Sequence, residues 1–154
     1  MTPKKLYGLF SNGEAITWAL LISALVLRAV GDPLPIGVAI AGSIHGAMFL
    51  SYCTTAVLVG VNQRWRISKT ITAVILAIVP FATIPWDRRL LAQGSLEGAW
   101  RTESSDHPKD AGWFDSLFRW FIARPLLLIA TLILMVAAIF AVLLSLGSPT
   151  TWFD

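Results

Sequence analysis

The chain has 154 residues, of which 56% are hydrophobic and 14% are charged, whereas ordinary soluble domains carry about 25% charged residues. One domain of this length cannot bury so much apolar surface in water, because small domains bury a lower fraction of their area. The composition therefore excludes an ordinary soluble fold and predicts an all-α integral membrane protein. The net charge is +3 and the basic residues form no continuous stripe, so the sequence gives no basis for nucleic-acid binding.

The first apolar run predicts a membrane span over about residues 9–30. A bilayer core of ~30 Å needs roughly 20 helical residues to cross it. The uncharged part of this run is short, so Glu14 and Arg28 are expected near the two interfaces. Lys4 and Lys5 precede the run as in a secretory signal, but Glu14 interrupts the approach and no Ala-x-Ala cleavage site follows. We therefore expect a retained first span.

The second predicted span covers about residues 34–61 and contains no charged residue. Gly31-Asp32-Pro33 separates it from the first, and proline stops one helix before another begins. This short break predicts an antiparallel hairpin. A basic connector, NQRWRISK, follows at residues 62–69.

The third predicted span, about residues 70–86, is barely long enough, and Pro80 and Pro85 lie in its last turns. Proline removes a backbone donor and clashes with the preceding turn, so we expect a kinked end. Residues 1–90 would thus form a membrane core of three spans. A polar segment follows at residues 91–124, and its middle, RTESSDHPKD, is typical of a flexible loop.

A short amphipathic helix in the headgroup plane is predicted at the end of this segment. Apolar side chains recur there at helical spacing, opposite Asp115, Ser116 and Arg119. The residues expected to contact the interface or a partner are Trp113, Phe114, Leu117, Trp120, Phe121 and Arg124. Residues 125–154 hold a fourth span, to about residue 146, and a short tail with the aromatic pair Trp152 and Phe153. The predicted architecture is therefore a bundle of four transmembrane helices with one interfacial helix.

The orientation depends on the basic residues. Four crossings place both termini on one side of the membrane. A cytoplasmic N-terminus then leaves five basic residues inside, at the N-terminus and in the basic connector, and seven outside. The early spans and the short connector often dominate, so we favour a multi-pass protein of the bacterial cell membrane with a cytoplasmic N-terminus.

Glu14 and His45 are ionisable residues in or near hydrocarbon, where such groups usually face a bundle interior or a polar cavity. Folding the hairpin about Asp32 puts His45 about 7 Å from the level of Glu14, and the two Cβ atoms point apart. The register therefore disfavours a direct salt bridge. The expected partners are Thr17 or the backbone of the first span for His45, and Tyr52, Ser51, Arg64 or Lys69 for Glu14.

The role of His45 has several interpretations: an axial haem ligand, a quinone contact, a proton relay, or a neutral histidine that joins two helices. A bis-histidine haem is excluded within the chain because His107 lies in the polar loop, and a metal needs more ligands. Gly42 and Gly46 form a GxxxG pair beside a row of small residues, which favours helix packing and would also allow a homo-oligomer. No catalytic motif occurs, so we expect neither enzymatic activity nor a cofactor.

The motifs GEAITWALLISALVLRAVG, GSIHGAMFLSY, RWRISKT and ILAIVPFATIPWDRR, in this order, resemble a family of small bacterial integral membrane proteins. This family is common in actinobacteria and known as a domain of unknown function. The resemblance covers about residues 7–90 and implies Glu14, His45, Gly46, Pro80 and Phe81 as shared positions. It implies no activity.

The favoured function is a non-catalytic accessory or assembly subunit of a larger membrane complex, with the actinobacterial respiratory bcc-oxidase supercomplex as one candidate. The expected partners are membrane lipid and other integral membrane subunits. The alternative is a small transporter, or a quinone- or lipid-binding protein, that uses Glu14 and His45.

Overall fold

The computed structural model describes residues 1–31, 36–107, 110 and 112–145. These residues form six helices and no strand, which confirms the all-α prediction. The helices are α1 (Pro3–Ala29), α2 (Ile36–Asn62), α3 (Ile67–Leu76), α4 (Thr83–Ala92), α5 (Trp113–Ile122) and α6 (Pro125–Ser145). The predicted break at Asp32-Pro33, the first residues of the second predicted span, Leu146 and the aromatic tail lie outside the described residues.

Two compact units divide the chain, residues 1–99 and residues 100–154. Across the described residues, three helices are long and apolar enough to cross a membrane: Pro3–Ala29, Ile36–Asn62 and Pro125–Leu143 within α6. The first, second and fourth predicted spans therefore correspond to long helices, whereas the third does not.

Local sequence signals fix both ends of α1. The Thr2 hydroxyl accepts a hydrogen bond from the backbone N–H of Lys5, and Pro3 stands at the first helical position, where its missing N–H costs nothing. At the other end, Gly31 has φ 92°, a left-handed conformation that glycine adopts without steric cost and that commonly ends a helix.

α1 has polar side chains on its buried face and apolar side chains on its outer face. Ser11, Glu14 and Thr17 recur on one face of α1 and are buried, whereas Leu9 and Ile16 on the outer face are more than half exposed. A soluble protein has the opposite arrangement. In lipid it is favourable, because apolar side chains can face the hydrocarbon while polar ones find partners inside the bundle.

The third predicted span over residues 70–86 is not confirmed as one helix, because the chain breaks near Pro80, earlier than the kinked end that was expected. α3 ends at Leu76 and α4 begins at Thr83, and between them Phe81 has φ 63°, a conformation that costs a non-glycine residue free energy. Pro80 contributes to the break because it has no backbone N–H to donate. Each of the two helices has 10 residues, or about 15 Å, which is half of a bilayer core.

Contacts at their outer ends show that α3 and α4 form an antiparallel hairpin. The Lys69 ammonium at the start of α3 donates to Gln93 Oε1 (3.2 Å) and Ser95 Oγ (2.9 Å), just beyond the end of α4. α4 also runs antiparallel to α1. Thr83 and Ser11 exchange hydroxyl-to-carbonyl hydrogen bonds of 3.2 and 3.1 Å. Beyond the end of α4, Glu97 pairs with Lys4 at 2.7 Å, so the outer end of the hairpin lies beside the N-terminus of α1.

The second unit contains α5, α6 and the loop before them. Arg101 forms ion pairs with Asp110 (3.1 Å) and Asp115 (2.9 Å), and Arg119 donates to the Asp110 backbone oxygen (2.8 Å). Part of the segment predicted as a flexible loop is therefore tied to the polar face of α5. The apolar window of α6 has no buried residue.

Candidate functional site

A small polar site lies between α1 and α2 in the first unit. α1 contributes Glu14, Thr17 and Trp18, which fall within one helical turn, and α2 contributes His45. Glu14 is fully buried, and Thr17 and His45 are nearly so. The helices place these side chains together because the antiparallel α1–α2 hairpin brings the middle of each helix alongside the other.

Thr17 is the residue that links the site to both helices. Its Oγ1 lies 3.1 Å from His45 Nδ1 and 3.1 Å from the backbone oxygen of Glu14. A hydroxyl has one proton to donate, and the backbone oxygen can only accept. We therefore assign the proton between Thr17 and His45 to Nδ1, which donates to Oγ1, and this leaves Nε2 as the acceptor of a neutral imidazole. Thr17 was among the partners that the hairpin register favours.

Glu14 is the least satisfied group of the site. Neither carboxylate oxygen has a hydrogen-bond partner among the described residues. Its Oε2 lies 3.9 Å from His45 Nδ1, which is within ion-pair range but too long for a hydrogen bond. The estimated offset of about 7 Å along the helix axis therefore did not keep the two groups apart, because both side chains are long enough to reach across it.

The other expected partners of Glu14 are engaged elsewhere. The Tyr52 hydroxyl forms a 2.7 Å hydrogen bond with the Tyr7 hydroxyl, and both rings are fully buried. Ser51 donates to the backbone oxygen of Ala47 at 2.8 Å. The Lys69 ammonium donates to Gln93 and Ser95, just beyond the end of α4. The sequence-based pairing of Glu14 with Tyr52 or Ser51 is wrong.

Trp18 is a site residue that the sequence analysis missed. Its indole ring lies 4.3 Å from the His45 ring, centroid to centroid, and its Nε1 donates to the backbone oxygen of Ala77 at 3.1 Å. It therefore joins the polar site to the inner end of the α3–α4 hairpin. A signal was available: Trp18 is the tryptophan placed inside a predicted span, whereas tryptophans usually lie at the membrane interfaces.

Close helix packing occurs at Gly13 and Gly60 rather than at Gly42. A Cβ on Gly42 would meet nothing nearer than Leu21 Cδ1, at 4.0 Å. A Cβ on Gly13 would lie 2.9 Å from Met48 Sδ, and one on Gly60 would lie 2.6 Å from Thr70 Oγ1. Gly46 is half-buried. Gly42 is therefore not a point of close helix approach within the chain.

The predicted contact residues of the second unit lie on α5 and just after it. Trp113 is 78% exposed, and Phe114, Leu117 and Trp120 are each nearly half exposed. The Arg124 guanidinium stacks over the Trp120 ring at 4.3 Å and donates to the Trp120 backbone oxygen. Phe121 packs edge-on against Trp120.

The chemistry of the polar site is limited to one carboxyl, one imidazole and one hydroxyl. Such a set can exchange a proton or hydrogen-bond a small ligand. Within the described part of the chain, no group of three His, Cys, Asp or Glu residues lies close enough to hold a metal ion.

Comparison with known protein families gives a match that falls within the first unit. The family described as a domain of unknown function (DUF3817) matches residues 4–92. A protein of Streptomyces coelicolor named as a membrane protein is 40% identical over 80 residues, which is 49% of this chain and 9% of that protein. The "Uncharacterized membrane protein YdzA" of Bacillus subtilis is 31% identical over 75 residues, 45% of this chain and 78% of YdzA. No solved structure matches the chain.

The resemblance drawn from the motifs of residues 7–90 is therefore confirmed, including the actinobacterial occurrence, since Streptomyces is among the relatives. The family match lies within the first unit, which contains the polar site.

Proposed function

Since the chain belongs to the DUF3817 family, whose function is unknown, we propose its function from the properties of its own residues. We propose a non-catalytic accessory or assembly subunit of a larger membrane complex. The observation that carries this proposal is the surface of the second unit, where an apolar helix without a buried residue in its window follows a helix of exposed aromatic side chains.

α5 has the composition of a contact surface. Aromatic residues and arginine are enriched where proteins bind one another, because aromatic rings bury large areas at low entropic cost and the guanidinium donates several hydrogen bonds. Trp113, Trp120 and Arg124 are of these types, and the stacked Arg124 holds the Trp120 ring in one orientation. α6 supplies an adjoining apolar surface that suits other transmembrane helices.

The relatives support a module that works beside other membrane segments. In YdzA the matching region makes up most of the protein, whereas in the Streptomyces protein it is a small part of a far longer chain. Segments similar to this chain thus occur in proteins of very different length. In the present chain, α5 and α6 would be the added segment that selects the partner, and the actinobacterial respiratory bcc-oxidase supercomplex is one candidate partner.

The proposal includes a membrane topology of three crossings, by α1, α2 and α6. Trp65, just before the hairpin, packs against Tyr7, and Glu97, just after it, pairs with Lys4, so both ends of the hairpin lie beside the start of α1 and we treat it as re-entrant rather than as a span. With this topology, eleven of the twelve Lys and Arg residues lie on the N-terminal side of the membrane, and Arg28 alone lies on the other. The positive-inside rule then favours a cytoplasmic N-terminus far more strongly than the four-span count of five against seven.

Purification of the tagged full-length chain from its native membrane in a gentle detergent tests the proposal. A stoichiometric membrane partner is expected to co-purify. Replacement of Trp113 and Trp120 by serine should reduce the recovered partner, whereas replacement of Arg88 and Arg89 on α4 should not. A chain that purifies alone and keeps its native abundance would contradict an accessory role.

The polar site favours a second candidate function, a small transporter or a quinone- or lipid-binding protein that uses Glu14 and His45. The specific observation is the buried Glu14 carboxyl, which lacks a hydrogen-bond partner among the described residues. Such a group in a membrane bundle is costly unless it has a ligand or a proton to hold.

A further inference from the structure

A cavity of about 480 Å³ lies at the outer end of the α3–α4 hairpin in the first unit. Its lining includes Arg64, Trp65, Arg66, Lys69, Gln93 and Ser95. The volume is within the roughly 300–1,000 Å³ of typical small-ligand sites. The proposed transport or quinone chemistry at Glu14 and His45 does not involve this cavity, which lies at the opposite end of the hairpin.

The lining of the cavity is strongly cationic. Arg64, Arg66 and Lys69 each carry a positive charge, and no aspartate or glutamate is among the lining residues. The hydrogen-bond partners of the Lys69 ammonium are the neutral oxygens of Gln93 and Ser95, which position it without neutralising its charge. An ammonium has three protons to donate, so one remains for a ligand. The cavity is therefore suited to an anion.

The start of α3 also favours an oxygen anion. α3 begins at Ile67, directly after Arg66, and no side chain caps its first amides. An uncapped helix N-terminus carries partial positive charge and adds to the attraction of a phosphate.

The level of the cavity relative to the membrane indicates that the phosphate belongs to a lipid headgroup. α2 ends at Asn62, immediately before the lining residues, so the cavity lies where the transmembrane helix leaves the hydrocarbon. The Trp65 indole donates to the Ser95 backbone oxygen at 2.9 Å, and tryptophan is typical of the headgroup level. Basic pockets at this level bind the headgroups of anionic lipids.

We propose that this cavity binds the phosphate headgroup of an anionic phospholipid through Arg66 and Lys69. Its position at the cytoplasmic leaflet rests on the orientation proposed above, whereas its chemistry does not. The bound lipid would fix the base of the α3–α4 hairpin to the end of α2.

Lipid titration of the purified full-length chain, read by native mass spectrometry, tests the proposal. The probes are phosphatidylglycerol, phosphatidylcholine with the same acyl chains, and inorganic phosphate. Phosphatidylglycerol is expected to bind in preference to phosphatidylcholine. Each removed charge should weaken the binding of phosphatidylglycerol about fivefold. Arg66→Gln should therefore weaken it about fivefold, and Arg66→Gln/Lys69→Gln about 25-fold.

Arg88→Gln/Arg89→Gln is the matched control, because both residues are exposed on α4 and neither lines the cavity. It should bind phosphatidylglycerol as the parent chain does. Equal losses in the control and the cavity variants, or equal binding of the two lipids, would overturn the proposal. Displacement of the lipid by an equal concentration of inorganic phosphate would overturn the lipid assignment. If the double variant loses its helical circular dichroism, Arg66→Gln alone decides, since Arg66 is exposed.

The experiment uses the isolated chain, so its outcome is independent of the accessory role. If the chain selects phosphatidylglycerol but no partner co-purifies, the accessory role is contradicted and the lipid site stands. If a partner co-purifies but the chain does not select the lipid, the lipid site is contradicted and the accessory role stands.

Discussion

The Trp18 indole donates its N–H to the backbone oxygen of Ala77 at 3.1 Å, so the inner end of the α3–α4 hairpin is fastened to the middle of α1. Trp18 lies 14 residues after Lys4, about 21 Å along the helix. Ala77 is fully buried and follows the last residue of α3. The hairpin therefore turns back at the level of the middle of α1, which explains why this apolar segment contains two short helices.

Replacement of Trp18 by phenylalanine should lower the free energy of unfolding by about 1 kcal/mol, because it removes this hydrogen bond and leaves the Ala77 oxygen without its donor. The phenyl ring keeps most of the contact with His45. Thermal unfolding in detergent measures the effect. Trp113→Phe is the matched control, since Trp113 is 78% exposed, and it should change the midpoint little. Equal shifts in the two variants would contradict a structural role for the indole N–H.

The three-crossing topology can be tested by cysteine labelling. With Cys53 replaced by alanine, single cysteines at positions 2, 30 and 104 are treated with an impermeant maleimide in intact cells and after lysis. Thr2→Cys and Ser104→Cys should react only after lysis, whereas Val30→Cys should react in intact cells. Reaction of Ser104→Cys in intact cells, with Thr2→Cys still protected, would mean that the α3–α4 segment crosses the membrane.

The long spans were predictable because an apolar run of about 20 residues is by itself enough to predict a transmembrane helix. α1, α2 and α6 are such runs. The segment over residues 70–86 has the same apolar composition, and hydropathy alone cannot distinguish a crossing from a re-entrant hairpin. The difference depends on Pro80 and on the left-handed backbone at Phe81, together with hydrogen bonds to distant residues such as Ser11.

The contact between Thr17 and His45 was predictable because helix geometry determines it. The partners of Glu14 were not, because several side chains compete for the same hydrogen bonds. Helix register in an antiparallel hairpin fixes which levels meet, and it suggested Thr17 beside His45. The predicted partners of Glu14 are wrong because the Tyr52 hydroxyl forms its hydrogen bond with the Tyr7 hydroxyl instead. Gly42 was chosen from a spacing that occurs on several helix faces, whereas close approach depends on which face meets a neighbour.

Replacement of Gly60 by alanine should destabilise the first unit by about 1–3 kcal/mol. The new Cβ would lie 2.6 Å from Thr70 Oγ1 and 3.2 Å from a ring carbon of Trp65, so α3 and its connector must shift. Gly42→Ala is the matched control. Its Cβ has ordinary contact distance to Leu21, and alanine favours the helix by up to about 1 kcal/mol. Thermal unfolding of both variants measures the difference, and a Gly42 variant that is the less stable of the two would restore the predicted GxxxG contact.

Glu14→Gln should raise the thermal midpoint if Glu14 has only a structural role. A buried carboxylate without hydrogen-bond partners costs more than a buried amide of the same shape. Glu97→Gln is the control, since Glu97 is 60% exposed in its ion pair with Lys4 and exposed pairs contribute little. A Glu14→Gln variant that keeps its abundance but loses a cellular phenotype would favour the transport or quinone-binding candidate.

Asp87 on α4 should make stability depend on pH in the acidic range. Burial raises the pKa of its carboxyl, and the Lys4 ammonium offsets part of this rise. A group whose pKa is higher in the folded state binds its proton more tightly there, so stability is greatest below the ordinary pKa and falls as pH rises through the raised value. Asp87→Asn removes this titration, because an amide stays neutral.

The variant should therefore unfold at a higher temperature than the parent at about pH 7.5, and the gap should shrink at about pH 4 as the parent carboxyl gains its proton. Asp106→Asn in the exposed loop is the control and should show no such pH-dependent gap. The physical reason is specific to Asp87, since its Oδ1 is buried without a hydrogen-bond partner among the described residues. A lower midpoint for Asp87→Asn at neutral pH would show instead that attraction to Lys4 outweighs the cost of burial.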